Sequence, residues 1–277
     1  MGMIEQSLGS LASNIAGASR VFHQHRLDFC CGGKQSLGNA AAEKGLDVAS
    51  IVAQLEVLAQ TPSHETDWRG AGNVELIQHI LARFHERHRE QLPELIRLAR
   101  RVEYVHGDKS ACPNGLADHL TAMQQELVSH MEKEEQVLFP MLASGVMPSS
   151  PIAMMRFEHD QHGEALAKLE ALTNNITPPA NACNTWRALY VGLAAFREDL
   201  MQHIHLENNI LFEGLAAKKT GTCGCGGGSG RLPLRNHARK NRQLRFPQRP
   251  HRRTRLSARQ STNRAPQRRH ARSGGCF

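Results

Sequence analysis

The sequence predicts an all-α protein whose main part is an antiparallel four-helix bundle. Three observations support this fold class. Four amphipathic segments follow one another between residues 74 and 217, each repeats apolar residues at spacings of three and four, and short polar segments connect them. A small three-helix N-terminal domain precedes the bundle, and a basic tail that we expect to be disordered follows it.

The N-terminal domain is expected to span residues 1–60. An apolar face runs along its first helix, which should end near His25. This face consists of Ile4, Leu8, Leu11, Ile15, Ala18 and Phe22. Ser36 is placed to cap a second, short helix, and Asp47 a third. Such a domain is too small for a large core of its own, and a polar linker at 61–73 joins it to the bundle.

The bundle is expected to occupy residues 74–217. Its first, second and fourth helices should cover about 74–105, 115–144 and 184–217, and Pro151 lies in the first turn of the third. Pro93 falls inside the first helix. Because the apolar seam keeps its phase on both sides of this proline, we expect a kink rather than an end.

The second bundle helix indicates what the core contains. Its apolar seam consists of Leu116, Leu120, Met123 and Leu127, then Val137, Leu138 and Met141. Continued through the gap, the same spacing requires core residues where the sequence has His130 and Glu134. An unpaired carboxylate is costly to bury. A His and a Glu one turn apart on a buried face therefore indicate a bound metal.

The other three helices repeat this substitution. Their seams place polar pairs in the core at His85 and His88, at His159 and His162, and at His203 and Glu207. One such pair is usually explained by a histidine that is hydrogen-bonded within the core, whereas four pairs in four helices favour a metal centre. Nitrogen and carboxylate ligands with open positions suit iron or manganese better than a closed zinc site.

The number of ligands predicts two metal ions rather than one. Two histidines for each ion, with Glu134 and Glu207 bridging, would satisfy every group. His88 and His162 are then either additional ligands or, as we favour, partners that orient a ligating carboxylate.

Two sets of motifs resemble a known family. His85, HMEKE (130–134), EHD (158–160) and HIHLE (203–207) are similar to hemerythrin-like bundles, and LDFCCGGKQSL, HERHREQLPEL and LENNILF resemble the RIC (repair of iron centres; YtfE/ScdA-type) family. The resemblance covers residues 1 to about 212. It implies a non-haem di-iron protein that repairs iron–sulfur clusters after nitrosative or oxidative damage. The chain departs from the family pattern at Glu213, where a proline is usual.

The resemblance also implies roles for individual residues. The iron ligands would be His85, His130, His159 and His203, with Glu134 and Glu207 as carboxylate bridges beside an oxo bridge. Cys30 and Cys31 match the family's pair of adjacent cysteines. Because these cysteines precede a helix N-terminus and lie beside Lys34, we expect lowered thiol pKa values and a role as reductant or as relay of iron or NO. The alternative is that both are simply buried.

The leading interpretation is a repair protein that donates iron or handles NO, with damaged iron–sulfur proteins as partners and NO or O2 as small ligands. Whether it also reduces NO as an enzyme is left open. The alternatives are an O2 or NO sensor without turnover, and an iron oxidase. The thiols favour repair, since an oxygen store needs none. A homodimer, in which the thiols of one chain serve the other, is equally allowed.

Charge is distributed unevenly along the chain. The net charge is +8, yet residues 218–277 hold 17 basic and no acidic residues, which leaves 17 basic against 26 acidic residues in the remainder. The tail has no apolar periodicity, so we expect disorder. We interpret it as an accidental extension, such as translation in a shifted frame, in preference to a nucleic-acid-binding segment.

The remaining features favour a cytoplasmic protein. The N-terminus has Glu5 where an export signal would be basic, and no apolar run follows it. No segment is apolar enough to span a membrane. Seven cysteines, an odd number, are expected to be reduced thiols.

Overall fold

The computed structural model describes residues 2–61 and 66–214 of the chain. These residues are organised as helices and connecting loops, and the described ranges contain no β-strand. None of the described helices is long and apolar enough to cross a membrane. The expectation of a disordered tail over 218–277 concerns residues outside the described ranges.

The first predicted helix of the N-terminal domain is in fact two helices. After a 3-10 turn at Met3–Glu5, α1 covers Leu8–Asn14 and α2 covers Ala18–Gln24. Between them Gly17 adopts a φ of +81°, a left-handed conformation that glycine tolerates and that interrupts a helix. The prediction of one continuous helix was therefore wrong, and Ile4, expected on its apolar face, is 45% exposed.

The other two helices of this domain were predicted correctly. They are α3 (Leu37–Glu43) and α4 (Val48–Gln60). The side chains of Ser36 and Asp47 cap them, each accepting a hydrogen bond from a backbone N–H of the first turn, at 3.3 and 3.0 Å. The domain has its own apolar core, which includes Leu8, Leu11, Phe22, Leu27, Leu37, Ile51 and Leu55.

Four long helices form the bundle. The first comprises α5 (Asn73–Ile80), a π-helical segment (Leu81–His85) and α6 (Glu86–His106). The second comprises α7 (Leu116–Lys133), a π-helical segment (Glu134–Leu138) and α8 (Phe139–Ala143). The third is α9 (Ser149–Leu172), and the fourth comprises α10 (Asn184–Leu206) and a π-helical segment (Glu207–Leu211). The first helix packs against the second and the fourth, and short loops reverse the chain between neighbours.

The π-helical segments change which residues face the core. A π turn contains one residue more than the hydrogen-bonding pattern of an α-helix, so the buried face moves by one position beyond it. In the second helix, Leu138 and Leu142 are buried, whereas Val137 is 53% exposed. The predicted seam was therefore wrong at Val137 and Met141, although it was right at Leu138 and before Glu134.

The first and last bundle helices differ from prediction at other points. Pro93 lies within α6, which continues on both sides of it, as expected. The fourth helix was expected to reach about residue 217, but it ends at Leu211, and Gly214 follows with a φ of +66°. A left-handed glycine just beyond a helix is a common C-terminal stop.

The bundle core is divided into two apolar layers. One contains Leu92, Leu120, Leu127, Leu166, Trp186 and Phe196. The other contains Ile80, Phe84, Leu138, Phe139, Leu206 and Leu211. The buried histidines and glutamates lie along the same helices between these two sets, and they form the polar site described next.

Candidate metal centre

The six residues predicted as ligands lie together in the bundle core. They are His85, His130, Glu134, His159, His203 and Glu207, and none is more than 1% exposed. They form two overlapping groups, one with His85 and His203 and one with His130 and His159, and both groups include Glu134 and Glu207. Within each group the candidate ligand atoms all lie within 4.8 Å of one another.

The imidazoles turn their Nε2 atoms towards the shared carboxylates. Nε2 of His203 and Nε2 of His159 lie 3.0 and 3.1 Å from the two oxygens of Glu207. Nε2 of His85 and of His130 each lie 3.5 Å from Oε2 of Glu134. Two nitrogen pairs thus surround two carboxylates, an arrangement that suits two cations with shared carboxylate ligands.

Partners outside this group fix three of the four imidazoles. Nδ1 of His85 donates to Glu135, and Nδ1 of His130 donates to Glu158, both at 2.8 Å. A carboxylate can only accept here, so the proton resides on Nδ1 and the lone pair of Nε2 points inward. Nδ1 of His159 donates to Oδ1 of Asn208 at 2.9 Å. Such partners hold ligating histidines in one tautomer and orientation.

The electrostatics favour neutral imidazoles. Burial lowers the pKa of His85 to about 4, with the bond to Glu135 opposing this shift. Burial also lowers the pKa of His130, again opposed by its bonded carboxylate, Glu158. Neutral imidazole is the form that binds a metal, so these histidines need lose no proton to do so near neutral pH.

The two central carboxylates differ in their pKa values. Burial and the nearby charge of Glu207 hold the pKa of Glu134 well above its usual range. Burial alone would raise the pKa of Glu207 as well, but the neighbouring His203 and His159 hold that pKa well below the usual range. Ionising both carboxylates at once therefore costs free energy unless a cation lies beside them.

Unpartnered polar atoms provide a direct test of whether a metal fits. Among residues 2–61 and 66–214, neither oxygen of Glu134 accepts a hydrogen bond. A buried carboxylate without partners costs several times the worth of an ordinary hydrogen bond. A cation bound by both glutamates would remove this cost, so the residues present fit a metal pair.

His88 and His162 are buried beside the centre without being part of either ligand group. Their rings lie 5.3 Å from that of His203 and 5.0 Å from that of His130, between centroids. Nε2 of each has no partner within the described ranges. Glu135, Glu158 and Asn208 hold the candidate ligands instead, which corrects the expectation that His88 and His162 orient a carboxylate.

The cysteine loop of the N-terminal domain docks on the bundle beside His159. The Sγ of Cys31 donates to the carbonyl oxygen of His159 at 3.2 Å. The side-chain amide of Asn208 donates to the carbonyl oxygen of Cys30, also at 3.2 Å, while its oxygen accepts from His159. The thiols and the predicted metal centre thus meet within one chain.

The expected lowering of both thiol pKa values was wrong for Cys30. Its hydrogen bond with Cys31, its burial and the neighbouring carboxylate of Asp28 raise its pKa well above the usual range. Lys34, expected to favour the thiolate, is exposed. The carboxylate of Asp28 instead accepts hydrogen bonds from the backbone N–H groups of Cys30, Cys31 and Gly32, at 3.0–3.1 Å.

Comparison with known proteins agrees with this geometry. Residues 76–215 match the family described as "Hemerythrin HHE cation binding domain", and residues 4–59 match a "Domain of Unknown function (DUF542)". The chain is 53% identical over 214 residues to the "Iron-sulfur cluster repair protein YtfE" of Pectobacterium atrosepticum, covering 76% of this chain and 97% of that protein.

Two further relatives bear the same name. The protein of Dickeya chrysanthemi is 53% identical over 210 residues, and that of Yersinia pseudotuberculosis is 54% identical over 209 residues. Each match covers 75% of this chain and 95% of the relative. The bundle is accordingly an iron-binding domain of the hemerythrin type. The chain belongs to the family of YtfE-type iron–sulfur cluster repair proteins.

Proposed function

We propose that this protein repairs iron–sulfur clusters damaged by nitrosative or oxidative stress, and that it does so with two iron ions held in the bundle. The observation that supports this most is the docking of the loop with two free thiols beside His159, a candidate ligand. The Sγ of Cys31 donates to the backbone carbonyl oxygen of His159, and Asn208 links the backbone carbonyl oxygen of Cys30 to the imidazole of His159. A store or sensor of O2 has no need of such a contact.

Six side chains would hold the two irons. His85 and His203 would bind one ion and His130 and His159 the other, with Glu134 and Glu207 shared as bridges and an oxo group between the ions. When bound, the iron pair supplies transferable iron and open coordination positions for small ligands such as NO or O2. Two histidines for each ion leave such positions free.

The protein's own residues keep the site dry and its ligands correctly protonated. All six ligating side chains are buried, so bulk water is excluded from around them. Glu135 and Glu158 keep the Nδ1 protons of His85 and His130 in place. Arg89 and Lys133 in turn bind these two carboxylates, at 2.6 and 2.5 Å. The outer partners therefore remain ionised while the imidazoles remain neutral.

Repair activity can be tested with a 4Fe–4S dehydratase inactivated by NO. The loaded protein should restore its activity, and Glu134→Ala and Glu207→Ala should both lose iron and fail. Cys30→Ser with Cys31→Ser should keep two irons per chain, measured by metal analysis, yet fail to repair. Cys112→Ser with Cys183→Ser is the matched control, because these free cysteines contact Val102 and His106 rather than His159.

The outcomes separate the parts of the proposal. Full recovery with the Cys30 and Cys31 double variant would remove the thiols from the mechanism. A single tightly held zinc in the purified protein would contradict the di-iron centre. Iron loss that is as severe in His88→Ala and His162→Ala as in the glutamate variants would show that the ligand set is larger than six.

A further inference from the structure

We propose that Asp28, Cys30 and Cys31 form a separate metal site that takes a thiophilic divalent cation. On the proposed repair function, this cation is ferrous iron in transit between the buried centre and the surface. The site itself is argued from geometry and does not require that function.

The three side chains have the spacing of a metal-binding group. The Sγ atoms of Cys30 and Cys31 and a carboxylate oxygen of Asp28 lie within 4.8 Å of one another. The two sulfurs are 3.7 Å apart. Two thiolates that each lie about 2.3 Å from a tetrahedral metal are separated by roughly 3.8 Å. The sulfurs are therefore already placed for one ion to join them.

The loop holds this spacing before any metal binds. Asp28 accepts hydrogen bonds from three successive backbone N–H groups, which fixes both the carboxylate and the turn that carries the cysteines. A Cβ added at Gly33 would lie 2.6 Å from the carbonyl oxygen of Phe29, so the tight turn requires glycine there. Ligands that need no rearrangement bind a metal at a lower entropic cost.

The bundle leaves room for the sulfur of Cys31. Gly163 lies under it, and a Cβ at this position would come within 3.3 Å of the sulfur. On the other side Asp28 is exposed and Cys31 is half-buried, so a cation can reach the group from solvent. The group thus lies between the surface and His159, whose carbonyl oxygen is 3.2 Å from the sulfur of Cys31.

The donor atoms of this group differ from those of the buried centre, but both sets can bind ferrous iron. That centre offers imidazole nitrogens and carboxylate oxygens, whereas this group offers two sulfurs and one carboxylate oxygen, which suit Fe(II) and Zn(II). Binding would replace the S–H bonds of both cysteines by metal–sulfur bonds and release two protons to solvent. No electron is transferred, so no oxidant or reductant is needed.

Anaerobic titration with Co(II) tests this site in the full-length, iron-loaded protein. A phosphine reductant keeps the cysteines as thiols, and the difference spectrum reports thiolate-to-cobalt charge transfer. One equivalent of Co(II) should produce this band. Cys30→Ser and Cys31→Ser should each abolish it. Asp28→Asn should weaken Co(II) binding at least about tenfold, since even partners outside the ligand shell are worth roughly 10–100-fold in metal affinity.

Controls locate the signal and check the fold. Serine at Cys112 and Cys183, and in a second variant at Cys223, Cys225 and Cys276, should leave the band unchanged. Helicity by circular dichroism and unchanged iron content show that each variant is folded. A band that survives in both Cys30→Ser and Cys31→Ser, or no band in the folded native protein, would overturn the site.

Failure of this site and failure of the repair function can be told apart. Cobalt binding is measured without a repair assay, so a normal band in a protein that repairs nothing contradicts only the proposed function. Loss of the band with intact repair in Cys31→Ser would overturn the role of the site in iron transit.

Discussion

Asn208 joins two parts of the molecule that lie 178 positions apart in sequence. Its amide group donates to the carbonyl oxygen of Cys30 and its oxygen accepts from Nδ1 of His159. The side chain is 5% exposed, so water does not compete for either bond. One residue therefore both anchors the cysteine loop and orients a predicted iron ligand.

Replacing this residue should weaken iron binding more than it weakens the fold. Asn208→Ala leaves Nδ1 of His159 without its acceptor, so we expect iron affinity to fall about 10–100-fold, measured by competition with a chelator. Asn209→Ala is the matched control, because Asn209 contacts Phe29 and His205 but no predicted ligand. Equal loss of iron in the two variants would show that loop docking, rather than ligand orientation, sets the affinity.

The cluster of candidate ligands could be predicted from the sequence, whereas the residues that hydrogen-bond to it could not. A buried histidine such as His130 interrupts an apolar pattern, and that interruption can be seen in the amino-acid sequence alone. Asn208 acts across large sequence separations, and nothing in local spacing reveals that it meets Cys30 and His159. These contacts follow only once the cysteine loop and the fourth helix are placed side by side.

Among the bundle helices, the fourth also contacts the N-terminal domain. His205 is buried against the N-terminal domain, with its ring 5.4 Å from that of Phe29 and its Nε2 3.5 Å from the hydroxyl of Ser13. Burial lowers the pKa of His205 to about 4. The unfolded chain has a histidine pKa of about 6.5.

This contact should make the metal-free protein less stable in acid. Because the folded pKa is the lower one, the unfolded state binds the proton first as the pH falls. Stability is therefore complete above about pH 6.5 and declines towards pH 4, by about 3 kcal/mol for this group. Urea unfolding at pH 7 and 4.5 should show a smaller decline for His205→Gln than for the native chain. Identical declines would exclude His205 as a contributor.

The π-helical segments were not predictable from the apolar pattern. Val137 and Leu138 are adjacent apolar residues, and the sequence fits either phase at this point. The choice between phases depends on Glu134, whose side chain must reach the centre while the helix continues into a packed end at Phe139 and Leu142. A helix widened by one residue satisfies both requirements.

Deleting one residue from this segment should preserve the fold and damage the site. Removal of Gln136 lets the second helix continue as an α-helix with Leu138 and Leu142 still facing the core, so helicity and thermal midpoint should be kept. Iron content should fall, because the carboxylate of Glu134 is no longer placed by the wide turn. Removal of Gln125 is the control, since a deletion in the regular part of α7 rotates every later core residue and should unfold the bundle. Unchanged iron in the Gln136 deletion would show that the π turn is not needed.

For the whole molecule, the described helices end before residue 215, and the matches to relatives cover 95–97% of their length. A chain ending at Ala217 should therefore keep its thermal midpoint and iron content. A chain ending at Leu206 should lose iron, because Glu207 is absent. Unfolding of the longer truncation would show that the basic tail is structural, and nucleic-acid binding that disappears with the tail would favour the interpretation we ranked second.

The ligand set of the bundle repeats itself. His130 and Glu134 on the second helix have the same spacing as His203 and Glu207 on the fourth, and both glutamates begin a π-helical segment. His85 and His159 are the remaining candidate ligands, on the first and third helices. The bundle is thus two similar helical hairpins, whereas the cysteine loop contacts His159 alone of the four histidines. In the proposed two-iron centre, the position that includes His159 is nearer the cysteine loop than the other position, so we expect the fold to set the order in which iron leaves.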